Sequence, residues 1–239
     1  MVITERQNLI LERIVRDYID LNQPISSEFL EGKHHFGLSP ATIRIEMQKL
    51  TDKGFLYQPH TSAGRVPTDK GYRFFVDNLL EKRVSEFEDI FKIEEIIREE
   101  REDILKWTSH LTKFLAKESS NFTILNLLER DFFWKEGWEE ILREPEFEEK
   151  DLISNFTELL ESFEENIENL KINSGIKIYI GKENPFSKTK DFSIISSRCH
   201  LPEGEEGIIS LLGPKRMAYD KNISLINSLA KALAEAREE

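Results

Sequence analysis

Apolar residues recur at helical spacing between Thr4 and Leu21, at Leu9, Ile10, Ile14, Ile19 and Leu21, with Val15 and Tyr18 widening the stripe. The turn Asn22-Gln23-Pro24 ends that helix, and a second short one fits Ser26–Glu31 with Ser26 as its cap. Gly32 and Gly37 bracket a loop holding His34 and His35. Ser39-Pro40 is a strong helix start, a capping hydroxyl followed by proline at the first helical position. The third helix runs to about Lys53 and stops at Gly54. Phe55–Gln58 then reads as a strand, residues 59–65 as a polar loop, and Val66-Pro67 as a brief return strand. Thr68-Asp69 cap a fourth helix, Lys70–Leu80. Three helices and a β-hairpin in this order predict a winged helix-turn-helix over residues 1–80.

Beyond it, residues 84–120 read as one charged helix connecting two domains, within a segment bounded at 81–125. With heptad position a at Ile90, Ile97, Ile104 and Leu111, position d falls on Ile93, Glu100, Trp107 and Phe114. That spacing suits a seam between two copies through Ile90, Ile97, Ile104, Trp107 and Leu111. It suits equally an ordinary amphipathic helix packed on its own domain. Residues 121–150 look irregular and aromatic-rich, and Asp151–Leu170 returns to helical spacing. The period then changes: Ile176–Ile180, Phe192–Arg198 and Gly207–Leu212 read as strands, and Asp220–Glu235 as a closing helix. A small α+β domain with a three-stranded sheet is therefore expected over 126–239, and the chain as a whole is α+β.

Charge changes this picture. The chain carries 33 Lys and Arg against 45 Asp and Glu, a formal charge of −12 over 239 residues. Residues 1–80 contribute none of that excess, because ten basic side chains there balance ten acidic ones. Within 38–75, Arg44, Lys49, Lys53, Arg65, Lys70 and Arg73 face only Glu46, Asp52 and Asp69. A locally basic stretch on an acidic chain points to a restricted site for a polyanion. No apolar run approaches the ~18 residues of a membrane span, and Met1-Val2-Ile3-Thr4-Glu5 has no signal-peptide character. A cytoplasmic protein with no membrane partner is expected. The single cysteine, Cys199, excludes an internal disulfide.

The third helix carries the sharpest chemistry. At about 100° per residue, Ile43, Met47 and Leu50 share one face and pack inward. Ala41, Ile45 and Gln48 then point outward, flanked by Thr42, Arg44 and Lys49. In a winged helix such a face enters the major groove. There Arg44 can read guanine, Gln48 can pair with adenine, and Ile45 can meet a thymine methyl. Ser39 and Thr42, at the helix start, suit a phosphate oxygen. The loop His60-Thr61-Ser62-Ala63-Gly64-Arg65 suits a wing: small residues let amides approach phosphates, and Arg65 can reach phosphate or a narrow minor groove. Arg73 completes the basic set.

Two runs, Leu38-Ser39-Pro40-Ala41-Thr42-Ile43-Arg44 and Gln58-Pro59-His60-Thr61-Ser62-Ala63-Gly64-Arg65-Val66-Pro67-Thr68-Asp69-Lys70-Gly71-Tyr72-Arg73, closely resemble HrcA, the bacterial heat-inducible transcription repressor family. Downstream, Ile180–Asn184 and Leu212–Tyr219 look like the end of that family's GAF-like domain, and Pro145-Glu146-Phe147 matches an acidic-aromatic step. The resemblance implies a homodimeric repressor binding double-stranded DNA at an inverted-repeat operator before chaperone genes, with the chaperonin GroEL helping to maintain it. Two departures stand out. The family is commonly longer, and the shortfall between about Leu111 and Phe133 is expected to remove part of the GAF-like sheet and much of an inserted dimerisation subdomain. The family also usually has Asn where this chain has Ile45, so the operator sequence is expected to differ.

Other signals carry less. Arg198-Cys199-His200 puts a thiol beside an imidazole, but neighbouring strand residues point to opposite faces. His34-His35 lack further ligands at zinc-like spacing and read as loop residues. Gly204, Gly207 and Gly213 are too sparse for a nucleotide loop, so no catalytic site, metal or cofactor is expected. Two other readings stay open: a ligand-responsive regulator whose C-terminal domain binds a metabolite, and an interaction protein that has lost dimerisation.

Overall fold

Each helix of the N-terminal unit, Met1–Arg83, starts on a side chain that captures a free backbone amide. Helix α1 (Glu5–Leu21) opens with a reciprocal cap: Gln7 N donates to Thr4 Oγ1 at 3.2 Å, and Thr4 N donates to Gln7 Oε1 at 3.3 Å. Ser26 caps α2 (Ser27–His34), Ser39 caps α3 (Pro40–Asp52), and Thr68 caps α4 (Asp69–Glu81). A computed structural model describes residues 3–82, 87–98, 104–130, 132–170, 172, 175–186, 189–201 and 204–238.

Helix α3 ends at Gly54, whose left-handed φ of 78° turns the chain into β1 (Leu56–Tyr57). Strand β2 (Val66–Pro67) pairs antiparallel with β1, Leu56 opposite Pro67 and Tyr57 opposite Val66. Ile10, Ile14, Leu30, Ile43, Leu50 and Val76 are fully buried between the helices. Each contributes about 1.5–3 kcal/mol by leaving water. Asp17 brings a carboxylate into this core. Asp17 accepts from Lys33 Nζ at 2.6 Å and from His34 Nε2 at 2.7 Å, tying α1 to the end of α2. His34 is therefore a helical residue with a buried partner rather than a loop residue, and His35 caps the helix at φ 49°.

The C-terminal unit, Val84–Glu239, departs further from expectation. Residues 84–120 are not one helix. Helix α5 covers Ile90–Arg98 and α6 covers Ile104–Ser119, and Trp107 Nε1 donates to Ile96 O at 3.0 Å. In a continuous helix those residues would stand ~16 Å apart along the axis, so the second helix folds back on the first. The proposed seam is consequently spent on the unit's own packing: Ile97, Trp107 and Leu111 are buried, and Ile90 and Ile104 half-buried. The heptad's Glu100 lies outside the described residues.

The sheet has five strands rather than three. Its order is β4 (Phe132–Glu136), β3 (Phe122–Leu127), β7 (Glu206–Pro214), β6 (Phe192–His200), β5 (Ile176–Ile180), antiparallel throughout. The two extra strands come from the stretch read as irregular and shortened. β3 is buried along its whole length, including Thr123 on one face and Asn126 on the other, so no alternation of apolar and polar residues marks it as a strand. Phe122, Ile124, Ile194 and Leu212 pack on one side of the sheet against α7 (Trp138–Ile141) and α8 (Lys150–Glu165). Phe156 of α8 centres that layer, with ring centroids 5.2 Å from both Phe147 and Phe192. Leu125, Ile195, Ile209 and Leu211 face the other way, where α6 and α9 (Tyr219–Glu238) cover the sheet.

The motif around Gly213 shapes the β7-to-α9 turn. A Cβ on Gly213 would sit 1.9 Å from Asn121 Oδ1, so only glycine allows that approach. Arg216 forks onto Glu144 and Glu146, its Nη2 2.9 Å from Glu146 Oε2, and Tyr219 Oη donates to Lys215 O at 2.7 Å. The acidic-aromatic step is the other half of this clasp.

Trp107→Phe removes the indole donor and leaves the Ile96 carbonyl buried without it. A loss of about 1–3 kcal/mol is expected, read as a lower urea midpoint at unchanged slope.

Candidate nucleic-acid interface

Helix α3 divides along its length. Ile43, Met47 and Leu50 are buried, whereas Ala41, Arg44, Ile45, Gln48 and Lys49 are exposed. Ile45 is 57% exposed, an apolar side chain held outward with nothing of its own unit over it. At the N-terminus, Ser39 Oγ accepts from Thr42 N at 3.2 Å and lies 3.0 Å from Thr42 Oγ1, so both hydroxyls sit at the helix mouth. Lys49 Nζ reaches Glu46 Oε1 at 2.9 Å. Lys49, and then the Gln7 amide, hold the Glu46 carboxyl below its ordinary range.

The loop between β1 and β2 is restrained rather than loose. Gln58 Nε2 donates to Thr61 O and Ala63 O, each at 2.9 Å, and Ala63 N donates to His60 O at 2.9 Å. His60 Nδ1 lies 3.1 Å from Ser62 Oγ, and His60, Thr61 and Ser62 form the exposed tip. The return limb is locked to the segment before α2. Arg65 N donates to Ile25 O at 2.8 Å and Ile25 N to Arg65 O at 3.0 Å. A Cβ on Gly64 would lie 2.3 Å from that same Ile25 oxygen. The glycine therefore serves a backbone-to-backbone approach within the unit, not an approach to phosphate.

Arg65 is the main correction to the site expected from sequence. Its residue is only 8% exposed. The guanidinium lies against α3, with Nε donating to Thr51 Oγ1 at 3.1 Å and Nη2 to Gln48 Oε1 at 2.9 Å. Burial first, and then the charge of Arg44, pull its pKa below the ordinary value. Gln48 in turn donates from Nε2 to Asp52 Oδ1 at 2.8 Å. Its carboxamide is thus held at both ends with one lone pair and one N–H left over. Arg65 orients Gln48 from behind instead of reaching outward. Arg73 also stands apart, half-buried on α4 with Nη1 3.4 Å from Asp77 Oδ1.

Between the start of α2, the exposed side of α3 and this loop lies a groove of about 350 Å³. Ser26, Ser27, Glu28, Arg44, Ser62 and Arg65 line it. Arg44 Nη2 bonds the Glu28 carboxylate across it. Sequence reading singled out neither Glu28 nor Gln58. Gln58 looks like any strand residue, and an acid in a first helical turn is ordinary. Among the described residues no cluster of three or more His, Cys, Asp and Glu side chains could hold a metal, and no helix is long and apolar enough to cross a membrane.

Gly64→Ala drives a methyl into the Ile25 carbonyl and must part the Ile25–Arg65 bridge. It is expected to cost about 1–3 kcal/mol, seen as a lower melting temperature together with faster hydrogen exchange at the Ile25 and Arg65 amides.

Residues 68–223 match the family described as HrcA protein C terminal domain, well over half of the chain. The heat-inducible transcription repressor HrcA of Natranaerobius thermophilus is 28% identical over 338 aligned positions, covering 100% of this chain and 98% of the relative. That of Oceanobacillus iheyensis is 28% identical over 329 positions, covering 96% of each. Both alignments are longer than the 239 residues here, so the relatives carry segments without a counterpart in this chain. The crystal structure of a hypothetical protein at 2.2 Å shares the fold, with a TM-score of 0.81 at 22% identity over 98% of both chains. On the match over residues 68–223, supported by relatives that align from end to end, the chain belongs to the HrcA family.

Proposed function

We propose that this chain is a sequence-specific transcriptional repressor of heat-inducible genes, with the N-terminal unit working as a winged helix-turn-helix. The observation that carries the reading is the outward side of α3, where Arg44, Ile45 and Gln48 stand exposed beside a restrained loop. The names of the curated relatives supply the regulatory role. A helix of this width fits the major groove. Arg44 donates to guanine O6 and N7, Gln48 offers its remaining donor and acceptor to adenine, and Ile45 lies against a thymine methyl. Ser39, Thr42 and Lys49 meet phosphates at the groove edge, and His60, Thr61 and Ser62 meet the backbone from the wing. The C-terminal unit is a shortened GAF-like domain, and two copies of the chain read the two halves of an inverted repeat about one helical turn apart.

Selection from a random duplex pool by the full chain, at about 0.15 M salt to suppress counterion-driven background, tests this. An enriched inverted repeat is the expected result. A lone half-site removes the dimer, and no enrichment removes the repressor reading altogether. On the selected duplex, Arg44→Ala is expected to lose about 1–3 kcal/mol and to relax preference at one base pair. Arg65→Ala is expected to relax preference at the neighbouring position read by Gln48, because it frees that amide to rotate. Equal losses on selected and scrambled DNA would show that neither side chain governs base reading.

A further inference from the structure

We infer that β4, at the edge of the five-stranded sheet, pairs antiparallel with β4 of a second copy of this chain. The pairing supplies an interface for the dimer of the repressor reading and rests on that reading for its role, whereas the edge itself belongs to the C-terminal unit alone. Among the described residues no strand lies beyond β4. Edge strands are commonly guarded against such pairing by proline, bulges or outward lysines. β4 has no proline, pairs with β3 at five consecutive positions without a bulge, and has its Lys135 Nζ drawn onto Glu164 Oε1 of α8 at 2.9 Å. Three of its five side chains are aromatic, and Phe132 is exposed. Trp138 and Leu142, which follow β4 in the chain, are exposed as well. The opposite edge differs, because β5 is engaged by its own chain: Ile180 N donates to Glu183 Oε2 at 3.0 Å, and Tyr179 Oη donates to Leu170 O.

The strand's own residues identify the occupant. A two-fold axis along the sheet normal keeps every side chain on the same face in both copies, so even-numbered positions oppose even and odd oppose odd. With the axis at Phe133, Phe132 falls opposite Trp134 of the second copy, twice over. Arg130, in the hairpin turn, then approaches Glu136 of the second copy at each end. In sequence, Arg130-Asp131 and Lys135-Glu136 flank the three aromatics so that each charge meets its opposite in this register; Asp131 lies outside the described residues. Moving the axis to Trp134 would instead oppose Phe132 to Glu136 and Phe133 to Lys135, and lose both matches. Phe132 and Trp134 share the side that Leu125 faces, with ring centroids 6.0 Å apart, and the pairing extends them to a row of four rings. Arg130 bonds Glu205 through Nη2 alone, and a guanidinium carries five N–H donors, so it can take a second carboxylate without releasing the first. Glu136 is held by Lys113 only at 3.9 Å. The −12 charge of each chain does not forbid the approach, since charges beyond about 8 Å are screened at physiological salt.

The test is sedimentation equilibrium of the full chain without DNA, on wild type, Arg130→Glu, Glu136→Arg and an equimolar mixture of the two variants, each checked for an unchanged melting temperature. Wild type is expected to pass from monomer to dimer as concentration rises, with slower amide exchange along β4 in the dimer. Either substitution alone sets like charges against each other at both ends of the pairing, and is expected to weaken self-association about tenfold. The mixture is expected to return to within about threefold of wild type, because every acid meets a base again in that heterodimer. Where a charge reversal lowers the melting temperature, Phe132→Lys takes its place: a lysine at this exposed edge position should weaken the dimer by a similar factor. A monomeric wild type, or variants that dimerise as well as wild type, overturns the β4 interface. A mixture that recovers nothing overturns the register, and with it the choice of a second copy as occupant. A wild-type dimer with the expected variant pattern that enriches no duplex supports this interface and overturns the repressor reading alone.

Discussion

Two backbone hydrogen bonds between Ile25 and Arg65 organise everything that the N-terminal unit presents outward. They cross-link the segment before α2 to the return limb of the β1–β2 loop, forty residues later in the chain. Through them the loop tip is set beside the start of α2, and the Arg65 side chain is delivered beneath α3. The approach is so close that Gly64 tolerates no Cβ. Break this bridge and the groove loses one wall, Gln48 loses its rear support, and Arg44 faces a different set of neighbours. The arrangement of Arg44 and Gln48 on α3 is thus conditional on a backbone contact made elsewhere in the unit.

The same economy governs charge. Of the basic side chains that made this stretch look like a polyanion site, Arg65 is consumed internally, and Lys49 and Arg73 lie against acids on their own helices. Arg44 is paired with the exposed carboxylate of Glu28, on a different helix. A basic stretch in sequence therefore overstates the charge a ligand would meet. What remains on the outer side of α3 is a mixed surface, with the exposed Ile45 set among Arg44, Gln48 and Lys49.

In the C-terminal unit the controlling constraint is a sheet buried on both sides. β3, β6 and β7 are buried along most of their length because helices cover each face, and the polar side chains that fall there, such as Ser196 and Ser210, are buried too, with their hydroxyls 2.7 Å apart. Trp107 and Leu111 look like a seam between copies when a single helix is assumed, yet they belong to this covering layer once the helix folds back. Gly213, Arg216 and Tyr219, prominent in sequence, serve the clasp at which β7 turns into α9.

What the amino-acid sequence determined by itself is local in origin. Thr4, Ser26, Ser39 and Thr68 each begin a helix because a side-chain oxygen reaches an amide three residues on. The two sides of α3 follow from a period of 3.6 residues, so Arg44, Ile45 and Gln48 were legible as an outward set. Tertiary structure alone decided the rest. Whether Arg65 points out or under, which acid stands opposite Arg44, and whether 84–120 continues or turns back depend on contacts between distant segments. The strands β3 and β4 escaped notice because burial on both faces, or exposure at a sheet edge, erases the alternation by which strands are read. Spacing along a chain encodes a residue's own helix or strand; its partners across space are set by where the backbone returns.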